Sequence, residues 1–183
     1  MNTLALFLNR IASWKSLVVV VILYVSFPAY FLKNAEETIN QKAGKIIGPI
    51  DLTLGYNPER TLQMVSAYGP DARDYYANVE MTVDVVYPLV YALLFGIILT
   101  LLFRKKSYAP PIWANVLPFA MQCFDYLENV SIIILLKSFP DVSNGVAIFC
   151  EIAKLIKWLL AAATLGLIVY GLIRLVMSKL QEK

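Results

Sequence analysis

Apolar residues gather in four long stretches, separated by polar segments of very unequal length. The first runs from Ser16 to Leu32, broken only by Pro28. The second covers about 83–103, the third Ile112 to Leu136, and the fourth about 146–173. A helix rising about 1.5 Å per residue crosses a hydrocarbon core of about 30 Å in roughly 20 residues, so each stretch is long enough to span. The pattern predicts an all-α protein, an integral membrane four-helix bundle forming one domain over 1–183. An external segment, 33–82, lies between spans one and two. The first span has a basic start and an apolar core, as a signal peptide would. Its length, and the lack of a clean small-x-small site after it, favour a retained anchor.

The external segment has punctuation of its own. Asn57-Pro58-Glu59 reads as a helix start: a cap, a proline at the first helical position, an acid in the first turn. Leu62, Val65 and Met64 make that short helix amphipathic, and Tyr68-Gly69-Pro70 ends it. A new helix starting at Pro70-Asp71 is expected to run through Tyr75, Tyr76 and Glu80 into the second span. Ile50 to Leu54 alternates like a strand. It has no visible partner strand, so an extended strap is expected.

Composition agrees with a membrane protein. Of 183 residues, 59% are apolar and 16% charged, against about half and a quarter in soluble domains. The chain has no histidine, which excludes histidine general bases, histidine-ligated haem and the usual zinc sites. No phosphate-binding glycine loop, metal-ligand cluster or nucleophile elbow is present, and no cofactor is expected. Cys123 and Cys150 fall in different spans at different depths, so no disulfide is expected. A net charge of +3 gives no support for nucleic-acid binding.

Basic residues set the expected orientation. Arg10 and Lys15 precede the first span, Arg104, Lys105 and Lys106 follow the second, and Arg174, Lys179 and Lys183 follow the fourth. All fall on one side of a four-span protein, which places both termini in the cytoplasm of a multi-pass inner-membrane protein. Gly166 and Gly171 are expected to allow close helix packing, and Pro88 and Pro118 to kink their spans.

Ionisable residues inside the spans are the candidate chemistry, because a charge at the bilayer centre costs about 3 kcal/mol or more and seeks partners. Counted from the cytoplasmic ends at about 1.5 Å per residue, Glu128 and Lys157 lie at about 24 Å. Asp84 and Lys154 lie at about 28 Å and Asp125 at about 20 Å on the same count. Asp125, Glu128 and Asn129 share a helix face, as do Asp84, Tyr87 and Tyr91, and Glu151 with Lys154. The predicted pocket is Asp84, Tyr87, Tyr91, Gln122, Asp125, Glu128, Asn129, Glu151, Lys154 and Lys157. Its acids outnumber its lysines. A protonated carboxyl, a bound cation, or Arg60 or Arg73 from the external segment would balance the charge. The plainer alternative is a structural Glu128–Lys157 pair that sets helix register, with Glu151 and Lys154 snorkelling to the interface.

Gly55-Tyr56-Asn57-Pro58-Glu59, Tyr68-Gly69-Pro70 with Arg73 and Tyr76, Asp84 with Tyr87-Pro88-Leu89, Asp125 with Glu128-Asn129, and Lys157-Trp158 together resemble a group of bacterial four-span membrane proteins with no assigned activity. A looser similarity, in span count and intramembrane acids, is to the EXPERA group of emopamil-binding sterol isomerases and the sigma-2 receptor. That resemblance implies a four-span bundle with acids around a lipophilic-amine or sterol pocket. The histidine of the isomerase chemistry has no counterpart here, and no catalytic residue carries over.

The leading functional expectation is binding of a small amphipathic cation or a lipid headgroup. In it Asp125 and Glu128 are the anionic contacts and Lys157 the orienting partner. Alternatives are a small membrane enzyme, an isomerase or transferase working on a lipid through Glu128, and an accessory subunit of a membrane complex. A proton-coupled transporter would need a dimer. Expected partners are membrane lipids and a small lipophilic ligand, with a homodimer or a partner membrane subunit as further options.

Overall fold

The computed structural model describes residues 2–104 and 109–181. Lys105, Lys106 and Lys183, three of the orienting cations, lie outside the described residues. The described chain is helical without strands, and four of its helices are long and apolar enough to cross a membrane.

Helix α1, Asn2–Ile11, was not foreseen from the sequence. Ala5, Leu8 and Ala12 recur at helical spacing and are buried, while Leu6, Phe7 and the following Trp14 stay exposed. Arg104 holds its C-terminal end. Its guanidinium donates to the carbonyls of Asn9 at 2.5 Å and Ala12 at 3.2 Å, groups that a helix end leaves without intrahelical partners. Gly96 lets α1 approach, since a Cβ there would meet Leu8 methyls at 3.2 Å.

Ser13 caps α2, Trp14–Ser26, through a reciprocal pair of bonds with Ser16. Pro28 does not end this helix. The turn Phe27–Phe31 widens to π geometry around the proline, and α3, Leu32–Ala43, continues the same rod. A π turn accommodates the missing N–H without stopping the helix. The rod Trp14–Ala43 has 30 residues, about 45 Å at 1.5 Å each, so it outruns the hydrocarbon core. It stops at Gly44, which takes the left-handed conformation with φ 68°.

Helix α4, Pro58–Ala67, begins as expected, with Asn57 Oδ1 accepting from the Arg60 N–H at 3.0 Å. Helix α5 runs unbroken over Gly69–Phe103, through Glu80 and through Pro88. A 3-10 turn, Ile112–Val116, leads into α6, Leu117–Lys137. Pro118 lies within the third span, Ala114–Lys137, but in the first turn of α6, where its missing N–H has no intrahelical partner to lose and the helix continues past it. Helix α7 covers Asn144–Gln181. Gly171 permits close packing, because a Cβ there would come within 2.9 Å of Phe103, whereas Gly166 faces open space.

Among the described residues, helices α5, α6 and α7 pack on one another, while α2 and α3 lean chiefly on α5 and have no substantial packing on α7. Residues 44–57 and α4 close one end of this assembly, the strap end. Ile39, Ile50, Val65, Tyr68, Tyr76, Ile132 and Leu135 form a buried cluster there. Tyr68 donates to the Gly48 carbonyl at 2.6 Å, and burial raises its phenol well above the ordinary value. Residues 50–53 form a turn, with the Thr53 N–H on the Ile50 carbonyl, where an extended strap over 50–54 was expected.

Candidate functional site

The ionisable residues divide into two clusters. On α7, six residues separate Glu151 from Lys157, so the two side chains point about 120° apart at 3.6 residues per turn. Glu151 and Lys154 turn to the strap, and Lys157 turns to α5 and α6.

The first cluster is saturated. Lys154 Nζ lies 2.5 Å from Glu151 Oε1 and donates to Thr53 Oγ1 at 2.6 Å. Glu151 Oε1 also accepts from the Thr61 hydroxyl at 2.7 Å, and Oε2 from the Asn57 N–H at 2.7 Å. Both side chains are 1% exposed. This charge-balanced knot ties α7 to the strap and α4. The grouping of Glu151 and Lys154 with the other acids into one pocket therefore does not hold, and neither residue snorkels.

The second cluster sits between the rod α2–α3 and helices α5 to α7. Lys157 Nζ lies 2.5 Å from Glu128 Oε2 and 3.4 Å from Asp125 Oδ1. Asp125 Oδ2 accepts from the Tyr91 hydroxyl at 2.7 Å. Glu128 is fully buried behind this contact. The depth count anticipated the Glu128–Lys157 meeting. Asn129 Nδ2 donates to the Asp84 carbonyl at 2.9 Å, joining α6 to α5.

In front of the pair lies a cavity of about 520 Å³. Asp84, Tyr87, Tyr91, Asp125, Asn129 and Lys157 line it, as predicted for a pocket, and so do residues not foreseen: Tyr24, Pro28, Asp51, Tyr76, Phe95 and Trp158. Asp51 reaches the cavity from the strap, where its carboxylate accepts from the Tyr76 hydroxyl at 3.0 Å. That hydroxyl in turn accepts from the Ile50 N–H at 2.9 Å. Tyr24 stacks on Tyr87 at 5.8 Å between ring centroids, and Tyr87 meets Tyr91 edge-on at 5.6 Å. Among the described residues no side chain bonds to the carboxylate of Asp84.

Gln122 is turned away. It donates to the Tyr126 hydroxyl at 2.9 Å, which donates to the Val85 carbonyl. The arginines considered as balancing charges are elsewhere too. Arg73 lies 3.9 Å over the Phe139 ring and donates to the Val65 carbonyl, and Arg60 is exposed. Lys157 is thus the cation bonded to the acids of α6, while Lys33, which also lines the cavity beside Glu36, lies 3.9 Å from Glu37 on its own helix. Glu80, one helical turn before Asp84 on α5, adds a further carboxyl. It is 1% exposed, and neither oxygen has a hydrogen-bond partner among the described residues. Its signal in the sequence was its spacing of four residues from both Tyr76 and Asp84.

Among the described residues no group of acids and cysteines is arranged to hold a metal ion. Cys123 is exposed, Cys150 is buried, and both are free thiols. No protein-family model, curated protein or solved structure matches the chain.

Proposed function

We propose that this is a multi-pass inner-membrane protein that binds a small amphipathic cation, with the site near the external face and both termini in the cytoplasm. The observation that carries the reading is the Asp84 carboxylate, which has no hydrogen-bond or ion-pair partner among the described residues and lines a cavity walled by Tyr24, Tyr87, Tyr91 and Trp158. A carboxylate beside aromatic faces suits an ammonium group, through charge and through cation–π attraction in a partly desolvated setting. Lys157 is taken up by Asp125 and Glu128, so it fixes the site's back wall and leaves Asp51 and Asp84 to the ligand. Orientation rests on the cations: Arg10, Lys15, Arg104, Arg174 and Lys179 lie at the end of the bundle opposite the strap.

The test is thermal unfolding of the purified protein in detergent across a panel of amines, with Asp84→Asn beside wild type. A ligand that raises the wild-type Tm and leaves Asp84→Asn unmoved is expected. A panel in which no amine stabilises the wild type rejects the reading.

A further inference from the structure

On α5, α6 and α7 the charged and amide lining residues give way to uncharged ones in the direction away from the strap. From the strap end downward, α5 presents Asp84, then Tyr87 and Tyr91, then Phe95. Helix α6 presents Asn129, Asp125 and then Met121, and α7 presents Lys157, Trp158 and then Leu165. The rod α2–α3 presents Ile39, then Glu36 and Lys33 of opposite charge, then Leu32, Pro28 and Tyr24. The lining on α5 extends from Tyr76 to Phe95, about 28 Å at 1.5 Å per residue. The cavity is therefore a long slot with a charged head and an apolar foot.

One long side of this slot is open. Among the described residues the rod has its substantial packing on α5 and not on α7, although residues of both line the slot. Trp158 and Leu165 line it while remaining 40% and 53% exposed, and Pro28 opposite is exposed as well. At this height the surroundings of a spanning helix are lipid tails.

We infer that the occupant is a single-chain amphiphile with an ammonium head, its tail lying in the foot of the slot and emerging between α2 and α7 into the bilayer. The inference rests on the cation-binding reading above and narrows it to a ligand that reaches the site from the membrane. The head meets Asp84 and Asp51. The tail passes Tyr91 and reaches Phe95, Met121 and Leu165, which carry no charge. A water-borne cation would leave that apolar foot unused.

The experiment uses the full chain in phosphatidylcholine nanodiscs with butylamine, dodecylamine, hexadecylamine and dodecanol as probes, and affinities corrected for measured partitioning. Dodecylamine is expected to bind and dodecanol not to. Hexadecylamine is expected within about twofold of dodecylamine, since an open side lets excess chain overhang into lipid. Ala161→Trp, which fills the middle of the slot, is expected to weaken dodecylamine at least about tenfold, about 1.4 kcal/mol, and to leave butylamine within about twofold. Wild-type protein labelled by dodecylamine carrying a terminal diazirine is expected to be modified at Phe95, Met121 or Leu165, a readout that holds even if the variant fails to fold. Rejection of hexadecylamine, labelling confined to the strap, or full dodecylamine affinity in a folded Ala161→Trp overturns the inference while butylamine binding leaves the cation site standing. If none of the amines binds, the cation site itself is refuted.

Discussion

Glu151–Lys154 and Glu128–Lys157 are both acid–lysine pairs involving α7, less than two turns apart, yet their surroundings differ. Every oxygen of Glu151 is bonded, its lysine has a second partner, and one acid meets one base. Around Lys157 the count is uneven: Asp125 and Glu128 share one ammonium, and among the described residues Asp51, Asp84 and Glu80 have none. A balanced, fully bonded pair in a dry interior serves to fix two segments together. An unbalanced group beside a cavity stores unused binding capacity, and the shortfall is what a positively charged ligand would supply.

Breaking the balanced knot should have the largest effect. Glu151→Ala strands a buried ammonium and leaves the Asn57 N–H and the Thr61 hydroxyl without their acceptor, a loss of about 3 kcal/mol or more. The measure is a lower unfolding temperature in detergent, together with faster proteolysis of the strap, residues 44–57. Lys157→Met comes next. It removes the ammonium from two buried carboxylates and should cost about 3 kcal/mol, with partial recovery in Lys157→Met/Glu128→Gln because the second change removes a stranded charge. Equal destabilisation in the single and double variants would show that the pair does not act as a unit.

Asp84→Asn should separate the clusters most cleanly. The carboxylate has no hydrogen-bond or ion-pair partner among the described residues, so stability should hold within about 0.5 kcal/mol, as for substitutions that break no contact. Amine affinity should fall at least about tenfold, about 1.4 kcal/mol. A large fall in stability instead would move Asp84 into the structural class.

The smallest effect is expected at Tyr68. Tyr68→Phe removes one hydrogen bond to Gly48, worth about 1 kcal/mol near neutral pH. The sign of its pH dependence follows from burial. The folded protein holds the phenolic proton more tightly than the unfolded chain, so this contribution is complete below the ordinary phenol value near 10 and is lost as pH rises beyond it. The stability gap between wild type and Tyr68→Phe should therefore narrow above about pH 10.

Spans, caps and depth were legible in the residues. The Asn57-Pro58 start, the unbroken helix from Gly69 through Glu80, and the common level of Glu128 and Lys157 follow from local chemistry and from a fixed rise per residue. Rotation about the helix axis was less legible. Glu151 and Lys154 were expected to join Lys157, but offsets of six and three residues turn them about 120° and about 60° away, to another neighbour. Pro28 looked like an interruption, yet a single π turn carries the rod past it. Helix α1 is too short to stand out as a span, and its buried face depends on Arg104 and Gly96, which lie far away in the chain.

The sequence by itself determined what had to be buried and how deep. Apolar length sets the spans, and charge placement sets the layer in which acids and lysines can meet, because both act through distance along a helix. Only the tertiary structure decided which carboxylates found a base. That depends on how α7 is rotated, on the strap carrying Asp51 inward, and on a rod that leans on α5 and leaves one side of the slot uncovered. These are relations between distant segments, and no local spacing encodes them.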